Sequence, residues 1–518
     1  MRANVVFVLL ILMLSGLVAG LVARGQMPHA TAVLADPAPA IESDASVSTT
    51  ATASSAGPAR AAPAMSQALE ETPEAPPAPV APPLDRPLRL MASSWELTAP
   101  AVLANGGVFG SEDSLLARAR LDVSLSASSE LTLVENALAR GGADPAGADV
   151  IILSLPRFVA AYERLEVLDP RIFFVVGFAR GGDVLVGPIS LDALERDEEA
   201  TLFATAGSPA ALLGLFAFDV AGVAARLDDG DPGEGGWRAH ERRPSRVGAS
   251  PLKGRVVLST AQATRLVPYV AVAREKFLED HSAAAAALVE GWLEGRRMVD
   301  ADGEAAARAV ADTPDGPAML TVLNDLRLVA PVGLTDNAEL MGLAGRGAVT
   351  LPTLFDRTWH WWRRAGLVTA STAPAPPLDG SIVARLARRH RTLDDDGPAT
   401  EIDEDVAAGA GGRGAGADGQ GGHDDPRDLG EVVITQRLRG TRLDRDALTR
   451  TIGWLAGVFP ETAIEVSVHP GGIADVDAAT RMVEGAAARF DVARERLIAT
   501  DDRGRADTVA TLRVRATR

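Results

Sequence analysis

Two long stretches of this chain are built from residues that cannot make a core, and they dictate where folding can occur. From Pro28 to about Pro87 the sequence is Ala, Pro, Ser and Thr with hardly any large apolar side chain. Such a segment buries too little surface to offset its chain entropy, and its prolines favour extended polyproline geometry, so it reads as a stalk. A second break, from Asp394 to about Asp428, carries DDD, EIDED and GAGGRGAGADGQGG. Folding is therefore expected in 87–391 and 429–518, separated by a 392–428 linker and preceded by a 26–86 stalk and a 1–25 N-terminal segment. At 518 residues the chain exceeds one core and calls for two or three domains of roughly 100–200 residues each.

The N-terminal segment is apolar almost without interruption from Val5 to Ala23, between Arg2 and Arg24. At about 1.5 Å per residue this run just spans a hydrocarbon core of about 30 Å. Cleaved signals have apolar regions of only about 7–15 residues, so the length favours a retained single-pass anchor, although Leu21-Val22-Ala23 offers a small-residue cleavage site. Either way the bulk of the chain is expected in the periplasm, with the inner membrane as a partner through this helix.

Composition excludes several classes. A net charge of −18 opposes nucleic acid, because a phosphate backbone selects a basic face. The absence of cysteine removes disulfides, thiolate catalysis, Cys-ligated zinc and a lipoprotein anchor. The 7 histidines are scattered without ligand spacing, and no nucleophile elbow, Walker loop or HExxH is present. We therefore expect no enzyme, no metal and no cofactor. His360, inside Trp359-His-Trp361-Trp362, reads as helix packing. Gly414-Ala-Gly416-Ala-Asp-Gly419 is formally a GxGxxG, but without a strand before it or a helix after it the motif reads as linker. The neighbouring aspartates are either loose calcium attractors or a solvated acidic loop.

Between Pro87 and Arg391 short apolar runs alternate with helical patterns, which predicts an α/β architecture. Leu88–Met91, Leu121–Leu125, Val150–Leu153, Ile172–Val176 and Val256–Leu258 are the expected strands; Ala283–Trp292 and Leu351–Trp362 are expected helices. Ligands gather where strands end and helices begin, because exposed helix N–H groups and peptide dipoles favour anions. Three such junctions are readable: Ser93-Ser94-Trp95-Glu96, Ser154, and Thr205-Ala-Gly207-Ser208-Pro209, with Ser208 as N-cap and Pro209 as N1 proline. Each has an ordinary reading as a capped turn.

The ordered series LRLMASSWELTAPAVLANGG, ALARGGADPAGADVIILSLPRFV, Gly181-Gly182-Asp183, ATAGSPAALLG, VVLSTAQATRLVPYVAVAREKFLEDHSAAAAALVEGWLEG and LPTLFDRTWHWWRRAGLV resembles the type 2 periplasmic substrate-binding proteins of the nitrate, sulfonate and taurine branch, over roughly Leu88–Val368. The resemblance implies a two-lobed clamshell, the first lobe running to about Val186 and taking back a helical segment later. It implies a small polar or anionic solute held by Ser93, Ser94, Trp95, Ser154, Asp183, Ser208 and Thr260, and an ABC permease as partner. The family's Trp-Glu-Pro-like strand is replaced by LDDGDPGEGGWRAHERRPSRVGASPLKG, leaving Trp237 in a loop-like stretch and the second lobe incomplete.

From Leu429 to Arg518 the pattern is strand, helix, strand, helix, strand. Ile464, Val466 and Val468 alternate as in a half-buried strand, and Met482, Val483, Ala486, Ala487 and Phe490 share a helix side. Ile464-Glu-Val-Ser-Val-His469 and Phe490-Asp-Val-Ala-Arg-Glu-Arg-Leu497 resemble the OmpA-like peptidoglycan-associated domain, an α+β fold. That resemblance implies peptidoglycan as partner, with Arg481 in the family's arginine position and Gly471 where the family has aspartate. Asp475 or Asp477 is the substitute carboxylate, or each is a helix N-terminal carboxylate favoured by the dipole. Two functions stay open: a membrane-tethered solute receptor that associates with the wall, and a structural envelope protein whose clamshell is a relic.

Overall fold

The computed structural model describes residues 84–191, 200–230, 236–241, 254–395, 431–440, 442–470, 473–502 and 508–516. The expected anchor, nearly all of the stalk, the Gly-rich linker and Gly471 lie outside them. Among the described residues no helix is long and apolar enough to cross a membrane.

The chain opens with β1 (Leu88–Ala92), α1 (Ala99–Asn105), α2 (Leu115–Arg118), β2 (Val123–Ala127), α3 (Leu131–Arg140), β3 (Val150–Ser154), α4 (Leu155–Leu165) and β4 (Pro170–Ala179). It continues through β5 (Asp183–Gly187), β6 (Ala200–Phe203), α5 (Pro209–Ala221), β7 (Ala225–Asp228), β8 (Trp237–Glu241) and β9 (Arg255–Ser259). It then returns through β10 (Pro268–Arg274), α6 (Glu275–Asp280), α7 (Ser282–Ala301), α8 (Gly303–Ala311), α9 (Met319–Leu326), β11 (Val329–Pro331), α10 (Leu334–Leu340), α11 (Leu351–Arg364) and α12 (Ser381–Asp395).

Two sheets result. The first has the order β11-β4-β10-β3-β1-β2, with β1, β2 and β3 parallel and β10 antiparallel to both β3 and β4. β3, between parallel β1 and antiparallel β10, is buried at every position, as expected of a continuous apolar run in the middle of a sheet covered on both faces. The second sheet has the order β7-β6-β8-β5-β9. The chain passes from one lobe to the other between Ala179 and Asp183 and returns between Ser259 and Pro268. The two crossovers are tied together: Thr260 Oγ1 accepts from the backbone N–H of Gly181 at 2.9 Å and of Asp183 at 3.2 Å, and Ala179 N donates to the Val267 carbonyl at 2.8 Å.

Two expectations are corrected. The first lobe ends at Ala179 and not near Val186, because β5 pairs with β8 and β9. The second lobe carries a complete sheet among the described residues: Trp237 begins its strand β8 and lies buried, its ring edge-on to Phe218 at 5.2 Å. The charged strand WRAHE gave no apolar signal because its neighbours β5 and α5 supply the surrounding hydrophobic groups.

α5 is apolar on all sides, and Leu212, Leu213, Phe216 and Phe218 are fully buried. A helix of that kind needs cover all round. The second sheet covers one side, α11 another, and the C-terminal domain a third. That domain runs β12 (Val432–Arg439), α13 (Arg445–Val458), β13 (Thr462–Val468), α14 (Val476–Phe490), β14 (Leu497–Thr500) and β15 (Thr508–Ala516), with sheet order β12-β15-β13-β14. β14, parallel to β13, is an addition to the expected pattern. β13 is buried on both faces and not half-buried: Ile464, Val466 and Val468 face the core, while Glu465 on the other face is screened by Arg515, 2.7 Å away.

Candidate functional site

β1 and β3 are parallel neighbours with Ala92 opposite Ile152, so their carboxyl ends fall side by side. Ser93 N donates to the Ile152 carbonyl at 2.7 Å, which fixes Ser93 next to the end of β3, where Ser154 stands. This rim is where ligands bind in open α/β sheets. The chain then turns: Ser94 Oγ donates to Glu96 Oε1 at 2.6 Å, and Trp95 is half-buried ahead of a short 3-10 helix.

Ser154 is also the N-cap of α4, with extended backbone (ψ 144°), and β3 runs into α4 without a loop. Its side chain makes no capping bond, and its hydroxyl is buried, at 1% residue exposure, with no hydrogen-bond partner. A buried hydroxyl left unpaired costs roughly 1–3 kcal/mol, so its presence needs a reason. The same helix end presents first-turn N–H groups and the positive end of the helix dipole. Arg157, one turn in, forms an ion pair at 3.0 Å with Glu241 at the end of β8 in the opposite lobe. Hydroxyl, helix N-terminus and guanidinium together make a set suited to an oxyanion.

The second lobe presents a different edge. Asp183 is opposite Glu241 in the β5–β8 register and is buried. Thr260 spends its hydroxyl on the crossover N–H groups described above. Ser208 caps α5, its Oγ accepting from Ala211 N at 3.1 Å. Gly207 has φ +74°, and a Cβ there would stand 3.1 Å from Ala160 Cβ on α4, so the lobes touch at this point. Within β8, burial and the neighbouring Arg238 hold the His240 imidazole below its ordinary pKa.

Of the residues named from the sequence, the fold thus places Ser93, Ser94, Trp95 and Ser154 along one rim, joins Asp183 and Thr260 at the crossovers, and leaves Ser208 on its own helix. Arg157 and Glu241 were missed. Arg157 was signalled by its place three residues after Ser154; Glu241 was hidden by the loop-like reading of its strand. A groove of about 310 Å³ opens beside the Thr205–Ser208 junction between Ala204, Arg226, Asp228 and Leu367. A second cavity of about 80 Å³ lies in the first lobe between Glu96, Trp292, Arg296 and Val329. No cluster of His, Asp or Glu able to hold a metal occurs among the described residues. His360 is exposed, its Nδ1 2.7 Å from the Asp356 carbonyl, so it faces solvent and does not pack as expected, while Trp359 and Trp361 beside it are buried.

In the C-terminal domain Asp475 is the N-cap of α14, accepting from Ala478 N at 2.8 Å, while Asp477 and Arg481 are exposed on that helix. His469 is buried between the Asp502 carbonyl and Thr511 Oγ1, each 3.0 Å away. A carbonyl only accepts, so Nδ1 donates; in the neutral ring Nε2 then accepts from the threonine hydroxyl.

No family model matches the chain, and no curated protein matches it in sequence. Among solved structures it is similar to the periplasmic aliphatic sulphonate binding protein SsuA from Escherichia coli, at 17% identity and TM-score 0.40 over 55% of this chain and 89% of that one. It is similar to the periplasmic nitrate-binding protein NrtA from Synechocystis PCC 6803, at 12% identity and TM-score 0.37 over 61% and 90%. It is also similar to the ligand binding component of an ABC-type import system from Staphylococcus aureus, solved with zinc bound, at 12% identity and TM-score 0.40 over 57% and 98%. Scores this low leave the ligand to be argued from the chain's own residues.

Proposed function

We propose that this chain is an extracytoplasmic solute-binding protein that takes a small anionic or polar solute between its lobes. One observation carries the reading: the buried, unpartnered Ser154 hydroxyl at the α4 N-terminus, beside Ser93 and one turn from Arg157. A solute oxyanion would complete that hydroxyl and exchange for Glu241 on Arg157, a charge-assisted bond for a charge-assisted bond. In this reading the N-terminal segment tethers the protein to the inner membrane, the C-terminal domain associates with peptidoglycan through Arg481, and an ABC permease is a partner. Tethered at both ends, such a protein serves sensing or local capture in preference to bulk import.

The test is a thermal-shift screen of the full chain against small anions, sulfonates and amino acids. At about 100 times Kd a solute stabilises the folded state by roughly 2.7 kcal/mol, raising Tm by several degrees. A saturable rise that Ser154→Ala and Arg157→Ala both abolish supports the reading. A second reading, a structural envelope protein with a non-binding clamshell, is favoured by the Arg157–Glu241 ion pair and the Gly207–Ala160 contact, both of which hold the lobes together. A cooperative melt unmoved by every solute would select it.

A further inference from the structure

The C-terminal turn of α13 and the residue after it, Trp454–Phe459, touch the rest of the molecule in three places. Trp454 carries the guanidinium of Arg357, from α11, over its ring at 4.1 Å. Gly457 packs so closely on Val349, just before α11, that a Cβ there would lie 3.4 Å from the Val349 Cβ. Both contacts reach the first lobe through α11, which covers α5 on one side and is held to α4 on another: Trp362 Nε1 donates to the Pro156 carbonyl at 3.0 Å, and Phe355 and Trp359 both sit edge-on to Tyr162. The Val458 carbonyl accepts from Arg265 N at 3.3 Å, on the return crossover. Phe459, fully buried, meets Phe216 of the second lobe's α5 with ring centroids 5.9 Å apart.

The turn itself is held from within its domain. Arg496 donates to the carbonyls of Ala456 at 2.9 Å, Phe459 at 2.7 Å and Thr462 at 3.0 Å. A guanidinium on the last carbonyls of a helix satisfies orphan acceptors and meets the negative end of the dipole. The contact surface is therefore stiff, and it bridges elements that must separate when a clamshell opens.

We infer that the C-terminal domain fastens the clamshell: Trp454–Phe459 holds both lobes and the return crossover in one arrangement, and the lobes separate only when this turn leaves one of them. The inference builds on the solute reading above by naming what regulates that site, since the path from Trp454 through α11 ends at Pro156, between Ser154 and Arg157. Coupling of this kind is reciprocal. A solute that favours the closed lobes strengthens docking of the domain, and whatever pulls on the domain weakens solute binding.

The test is amide hydrogen exchange on the full chain without solute, so that it stands whether or not any solute is found. Arg265 N reports docking, because its acceptor is Val458; Gly181 N and Asp183 N report the crossovers, because their acceptor is Thr260 Oγ1. With Trp454→Ala and Phe459→Ala together, all three amides should exchange roughly tenfold faster or more while amides of β3 keep their rate. The protein has no cysteine, so Val349→Cys with Gly457→Cys gives a clean second arm, and the Cβ separation lies close to that of a disulfide. The oxidised pair should slow the crossover amides below wild type, and reduction should restore them. Faster exchange at Arg265 with Gly181 and Asp183 unchanged would overturn the inference. So would an oxidised pair that leaves the crossover amides at the wild-type rate, and that arm decides alone if the double alanine variant also accelerates β3.

Discussion

The two rims of the candidate site use the same residue types in opposite ways. On the first lobe Ser154 caps a helix in sequence but not in bonding: its hydroxyl is buried and unpaired. On the second lobe Ser208 has the same position relative to α5 and spends its oxygen on Ala211 N, while Thr260 spends its oxygen on two crossover N–H groups. Hydroxyls at a strand–helix junction are thus of two kinds, those that complete the protein and those that wait for something else. Stability and binding should separate along the same line.

The largest effect is expected at Thr260. Thr260→Val keeps the shape but strips the acceptor from two backbone N–H groups, and should cost about 2–4 kcal/mol in denaturant unfolding. A cost below that of an ordinary surface change would mean the crossovers are not held by this side chain. Ser154→Ala should keep or raise stability, by up to about 1–3 kcal/mol, because it removes a buried unpaired group, while weakening a solute found by the screen at least tenfold, about 1.4 kcal/mol. Ser208→Ala should do the reverse, costing about 1 kcal/mol of stability as a lost cap and leaving solute affinity unchanged. If the two serine variants behave alike, the contrast between the rims is broken.

A smaller effect concerns the buried histidine of the C-terminal domain. Burial holds the His469 imidazole below its ordinary value, and Arg513 nearby acts in the same direction, against the Asp502 carbonyl and carboxylate. The unfolded ring therefore takes up a proton more readily than the folded one. Stability from this group is complete above the ordinary value of about 6.5 and is lost as pH falls through it towards the depressed folded value. Lowering pH from about 7.5 to about 5 should reduce the Tm of the wild-type chain, and His469→Asn should flatten that dependence, read by calorimetry at several pH values.

How much of this was legible in the sequence follows the same physical divide. The strands of the first lobe were readable because β1, β3 and β4 are apolar runs between turn residues, and the Ser208-Pro209 cap because its chemistry is local. Trp237 was misread because WRAHE, set between Asp- and Gly-rich stretches, has its burial supplied by partners far along the chain. The candidate site divided likewise: Ser93 and Ser154 were found from strand ends, whereas Glu241 needed the β8 register and Arg157 needed the knowledge that β3 enters α4 without a loop. The both-sided burial of β13 depends on arginines from β15, which no local period announces. Docking of the C-terminal domain left one mark in the sequence, the all-round apolarity of PAALLGLFAFDVA, whose covering partner the sequence does not name.

That helix also sets a timetable for biogenesis. Phe216 and the Phe459 that covers it are roughly 240 residues apart. At about 5–20 residues per second a ribosome needs roughly 12–50 s to pass from one to the other. Once β9 is complete at Ser259, and for the rest of that interval, the second lobe has its sheet but not its lid, with an aromatic stripe open to any neighbour. A chaperone that recognises such stripes would find its best opportunity here, and a chain terminated ahead of Val432 would carry the exposed stripe for life.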